Sequence, residues 1–104
     1  MPTESRILGF NKHEVFEVLR EYCTQTGRIV PEEDFDDMTL VQGTEVRVEL
    51  KLNGERPTLE FTEGELGAAI IMWCIKRGIP MARHAMKSLE VVHEKLLLHL
   101  RIRP

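Results

Sequence analysis

The sequence predicts an α+β fold, two helices packed on a mainly antiparallel sheet, and three observations carry that reading. Two stretches place apolar residues at helical spacing between matched start and stop signals. The segment "EVRVELKL" (45–52) alternates apolar and charged residues as a half-buried strand does. Directly after it, Asn53-Gly54 is the pair that a type I′ hairpin favours, because both central residues need positive φ. At 104 residues, 42% hydrophobic and 30% charged, the chain fits one domain, 1–104, that buries roughly two-thirds of its unfolded surface.

The first helix is expected from Lys12 to about Thr26. Asn11 can accept from an exposed N–H of the first turn, and Glu14 completes a capping box. Phe10 and Val15 form the matching hydrophobic staple. Val15, Phe16, Leu19, Tyr22 and Cys23 make one apolar face, and Gly27 supplies a left-handed stop. The second helix repeats these devices with Thr62, Glu65, Phe61, Leu66 and Gly78. Its interior, Ala68 to Ile75, is apolar nearly all round, which argues for burial on more than one side, part of it between molecules.

In the strand 45–52, Val46, Val48, Leu50 and Leu52 point one way and Arg47, Glu49 and Lys51 the other. "RPTLEF" (56–61) returns as a short strand, and Pro57 suits a strand start or a sheet edge. The stretch "SLEVVHEKLLLHLRI" (88–102) splits its apolar stripe if wound as one helix. Folded as a hairpin about His93-Glu94, it sets Leu89 and Val91 on one face with Leu96, Leu98, Leu100 and Ile102. Glu90, His99 and Arg101 then occupy the opposite, wet face. His-Glu is poor turn chemistry, but the face argument outweighs it.

The two helices also align at an offset of 51, from Phe10 over Phe61 to Gly27 over Gly78. With two small gaps, Pro31, Thr39 and Leu40 fall over Pro80, Ser88 and Leu89, and "VRVELKL" (46–52) over "LLLHLRI" (96–102). Residues about 6–52 and 57–102 thus read as an internal repeat of strand, helix, loop and hairpin. The competing explanation is that any two capped helices followed by strands share such a pattern.

Charge separates the halves. Residues 1–61 hold 7 Lys/Arg against 13 Asp/Glu, and residues 62–104 hold 7 against 4, for a net charge of −3. The loop after the first helix carries Glu32, Glu33, Asp34, Asp36 and Asp37. The corresponding segment after the second carries Arg83, His84 and Lys87, preceded by Lys76 and Arg77. Oppositely charged loops suit an interaction surface, between copies or with a partner protein. Alternatively, Lys76, Arg77, Arg83, His84 and Lys87, joined by Arg101 and Arg103, form a phosphate-binding patch for nucleic acid, against a pI of about 5.8. The plain alternative is a solvated loop, with Lys76 and Arg77 placed by the helix dipole.

Catalytic and metal patterns are weak. His13 to Glu17 resembles the zincin helix, but glutamate stands where the second histidine belongs. The other histidines, His84, His93 and His99, do not converge in spacing. Cys23 and Cys74 lie on apolar faces and are expected to be packed thiols. "GELG" (64–67) opens a helix and contains an acid, unlike a phosphate-binding loop. The chain starts "MPTESRILGF", without the cationic head and apolar run of a secretory signal, and its longest apolar run, "LGAAIIMWCI", falls short of the ~20 residues that span a bilayer. The expectation is a cytoplasmic, non-enzymatic module without cofactor, metal or membrane contact, forming a homodimer or binding a partner protein.

Overall fold

The computed structural model describes residues 4–27, 37–51, 59–80 and 85–102. Eight elements follow one another: β1 (Glu4–Phe10), α1 (Lys12–Thr26), β2 (Asp37–Gln42), β3 (Val46–Lys51), β4 (Leu59–Phe61), α2 (Glu63–Lys76), β5 (Met86–Val92) and β6 (Lys95–Ile102). The fold is α+β, as the alternation and the two capped helices require.

Both capping boxes form. In α1 the Asn11 side chain accepts from Glu14 N–H at 2.8 Å while Glu14 accepts from Asn11 N–H at 3.0 Å. In α2 the reciprocal bonds between Thr62 and Glu65 are 3.3 and 3.1 Å. Gly27 ends α1 at φ +79, and its N–H reaches Cys23 O. Gly78, at φ +69, follows α2; its N–H reaches Ile75 O at 3.1 Å and Ile79 N–H reaches Cys74 O at 2.9 Å. Those two bonds are a Schellman closure, which lets the chain leave the helix without orphaned carbonyls.

The strands form two antiparallel three-stranded sheets, in the orders β1-β6-β5 and β2-β3-β4. Here the structure corrects the expectation of one sheet. The free edges of β2 and β5 meet without a backbone ladder, and what joins them is a side chain: Gln42 Oε1 accepts from Val91 N–H at 2.8 Å. Each sheet draws on both halves of the chain, since β1 pairs with β6 and β4 with β3. Neither half therefore completes a sheet by itself.

The order strand, helix, strand, strand occurs twice, and the hairpins share a register: Leu40 faces Val48 as Leu89 faces Leu98. The incoming strands do not. Phe10 faces Leu96, whereas Phe61 faces Val48, two residues further along than the sequence alignment implies. A shift of two preserves which side chains face inward. The loops differ as well, three residues between β2 and β3 and two between β5 and β6.

His93 and Glu94 form the β5–β6 turn as expected, at φ +49 and +60. Asn53-Gly54, Leu52 and Pro57 lie outside the described residues, although β4 does return antiparallel along β3 at a sheet edge. The inner faces of both sheets and the facing sides of the helices make one core. Phe10, Leu96, Leu98 and Leu100 come from one sheet, and Met38, Val46, Val48, Leu50 and Phe61 from the other. The helices add Val15, Phe16, Val18, Leu19, Cys23, Leu66, Ala69, Ile70 and Cys74. No helix among the described residues is long and apolar enough to cross a membrane.

Candidate interaction surface

Helix α2 turns Leu66, Ala69, Ile70 and Cys74 into the core. The residues on its other side, by the 3.6-residue period, are Gly64, Gly67, Ala68, Ile71, Met72 and Ile75. None is charged or polar. Gly64 and Ala68 are exposed, Gly67, Ile71 and Met72 half-buried, and Ile75 is 64% exposed. A Cβ added at Gly67 would meet nothing within 4 Å, so no internal contact requires glycine there.

Helix α1, the other helix opened by a capping box, offers a comparison. Counted from the caps Asn11 and Thr62, the residues matching Gly64, Ala68, Ile71, Met72 and Ile75 are His13, Glu17, Arg20, Glu21 and Thr24. All five are polar or charged; the sixth, Gly67, matches Phe16, which is buried in the core, so Gly67 lies at the margin of the stripe. Beside the α2 stripe, a cleft of about 210 Å³ lies between α2 and the β5–β6 hairpin, lined by Gly67, Ile71, Leu89 and Leu98 together with the polar Glu63, Lys87 and Ser88. Acidic residues open α2 (Glu63 and Glu65) and Lys76 closes it, the arrangement that the helix dipole favours.

The residues picked out by charge are placed as follows. Arg83, His84, Glu32, Glu33, Asp34 and Asp36 lie outside the described residues. Asp37 begins β2, where its carboxylate accepts from Met38 N–H at 2.9 Å. Lys87 stands in β5 and donates to Ala85 O at 3.2 Å. Lys76 is exposed at the end of α2.

Arg77 is engaged within the fold. It donates twice to Glu21, Nη1 to Oε2 at 3.1 Å and Nη2 to Oε1 at 2.9 Å, and its guanidinium lies 4.0 Å from the Trp73 ring centroid. Trp73 in turn meets Phe10 edge-on at 5.6 Å. The hydrogen bonds from Arg77 hold the Glu21 carboxyl below its ordinary value, and Glu21 raises Arg77 in return. The Trp73–Arg77 spacing of four residues is visible in the sequence, but Glu21 lies 56 residues from Arg77 and no local signal points to it. The Trp73 indole N–H is buried with no acceptor among the described residues, and nothing in the structure explains it.

Sequence reasoning also missed Arg6. It donates to Pro80 O at 3.3 Å and shares with Lys87 and Arg101 a groove of about 640 Å³ on the β1-β6-β5 sheet. The same groove exposes Ile7 and Met86, at 60% and 55%. Its carboxylate, Glu90, is bound to His99 Nε2 at 2.8 Å. Among the described residues, Arg6, Lys87 and Arg101 form no ion pair with a carboxylate.

Cys23 and Cys74 are buried and unbonded to each other, and burial pushes the Cys74 thiol up, against the pull of Arg6 and Arg77. A thiol held protonated is a poor nucleophile. His13 and Glu17 share an exposed face of α1, and among the described residues no three metal-ligating side chains gather. Comparison with protein-family models, curated proteins and solved structures found no match for this chain.

Proposed function

We propose that this protein is a small cytoplasmic, non-enzymatic assembly module that associates with itself through the outward face of α2. The observation that carries this reading is the uncharged stripe from Gly64 to Ile75, set against five polar residues at the matching positions of α1. Leaving Ile75 and the uncovered parts of the half-buried Ile71 and Met72 in water forgoes roughly 25 cal/mol for each Å² that a partner would cover. A helix pair alone covers less than the about 800 Å² per partner of a standard interface, so the association is weak and concentration-dependent. The oppositely charged residues (Glu32, Glu33, Asp34, Asp36 and Asp37 against Arg83, His84 and Lys87), of which Asp37 stands in β2 and Lys87 in β5, would steer that encounter rather than drive it.

A second reading has its own observation. Arg6, Lys87 and Arg101 line one groove and, among the described residues, none pairs with a carboxylate, while the groove's Glu90 is bound to His99; that surplus of cations suits a phosphate backbone. In that reading the positive charges of Lys76, Arg83 and His84 add to the attraction, while Arg77 stays with Glu21. Sedimentation across a concentration series, with and without an oligonucleotide at low salt, separates the two. The first reading expects mass to rise with protein concentration alone. The second expects mass to rise only with nucleic acid, and the rise to vanish as salt is added. A constant 12.0 kDa under every condition contradicts both.

A further inference from the structure

Resting on that self-association reading, we infer that two copies meet through antiparallel α2 helices, about a twofold axis that crosses the helix beside Ile70. Three properties of the stripe select this arrangement over a parallel one. The first is volume. The N-terminal half presents Gly64, Gly67 and Ala68, and the C-terminal half Ile71, Met72 and Ile75. An antiparallel pair lays the small half of each copy against the bulky half of the other, so Ile75 enters the space over Gly64, and Met72 the space beside Ala68. A parallel pair sets Ile75 on Ile75 and leaves a gap between glycines.

The second property is charge. Glu65 and Lys76 flank the stripe on the same side, eleven positions apart. In an antiparallel pair like flanks face each other, so Glu65 of each copy comes beside Lys76 of the other; a parallel pair turns the flank that carries both residues toward the partner's opposite flank, so neither charge gains this neighbour. The third is the helix dipole, which opposes itself favourably only in the antiparallel sense. The open position at Gly67 acquires a purpose here, since an approaching helix needs the space that a side chain would fill.

Single cysteines read the arrangement directly. At 1.5 Å rise per residue, two Ile75 positions in the antiparallel pair stand roughly 15 Å apart along the axis, beyond disulfide reach. Gly64 of one copy and Ile75 of the other stand side by side. Ile75→Cys alone should therefore give no disulfide-linked dimer under mild oxidation, while an equal mixture of Ile75→Cys and Gly64→Cys chains should give mostly the mixed dimer. Ile71→Cys, close to the axis, should link to itself. Linking by Ile75→Cys alone and none in the mixture would show a parallel pair. A chain that sediments as a dimer, yet links at none of these positions, would place the second copy elsewhere and overturn the inference while sparing self-association. A chain that stays monomeric at every concentration would remove the reading beneath it. Circular dichroism of each variant, matched to the parent, confirms that the helices are intact.

Discussion

Arg77 is held from two sides, by the Glu21 carboxylate on α1 and by the face of Trp73 on its own helix. The group fixes where the end of α2 sits against α1, and Phe10 continues the contact into β1. Because the carboxyl of Glu21 titrates below its ordinary 4.5 in the folded chain, its contribution to stability is complete above pH 4.5. It is lost as pH falls through the lowered value. Urea midpoints of the parent and Glu21→Gln should thus differ most above pH 4.5 and converge below it. A gap that persists unchanged down to pH 3 would mean that the pair adds no pH-dependent stability. This contact was illegible in the sequence, because α1 and α2 come together only through the core. The buried thiols were legible, since Cys23 and Cys74 occupy the same apolar faces as Leu19 and Ile70.

At the scale of elements, the helices could be read to the residue, because caps are local chemistry: Asn11 with Glu14, Thr62 with Glu65, and a glycine at each end. The β5–β6 hairpin was legible through its face pattern even though its turn residues argued against it. His93 and Glu94 both adopt left-handed backbone that costs an ordinary L residue about 1–2 kcal/mol. Replacing them by Asn-Gly should raise stability by about 1 kcal/mol, seen as a higher urea midpoint at unchanged slope. The replacement also removes the Lys12–Glu94 ion pair, but at 3.9 Å with Glu94 83% exposed it is too solvated to offset the gain. An unchanged or lower midpoint would show that the tertiary fold, rather than the turn, sets the cost of this conformation.

At the scale of the molecule, strand exchange between the halves is the feature that one-dimensional pattern could not supply. Alternation says which side chains of β3 and β6 face inward, but it is silent on which strand lies alongside. The two-residue difference in register between the Phe10 and Phe61 strands is invisible for the same reason, as it leaves every face unchanged. Where the two sheets meet, the bridge is the side chain of Gln42, a residue whose polarity marked it only as a surface position. By contrast, the apolar outward side of α2 was visible as an excess of hydrophobic residues, and the fold resolves that excess into one stripe whose matching positions on α1 are polar except for Phe16.

Ile75 and Thr24 occupy matching positions on the two helices, so the same substitution at each compares the two faces under equal chemistry. Sedimentation equilibrium of the parent, Ile75→Glu and Thr24→Glu should give a parent whose mass climbs from 12.0 kDa toward twice that value with concentration. Thr24→Glu should follow the parent, and Ile75→Glu should remain at 12.0 kDa across the same range. If Ile75→Glu associates as the parent does, the α2 stripe is not where copies of this chain meet.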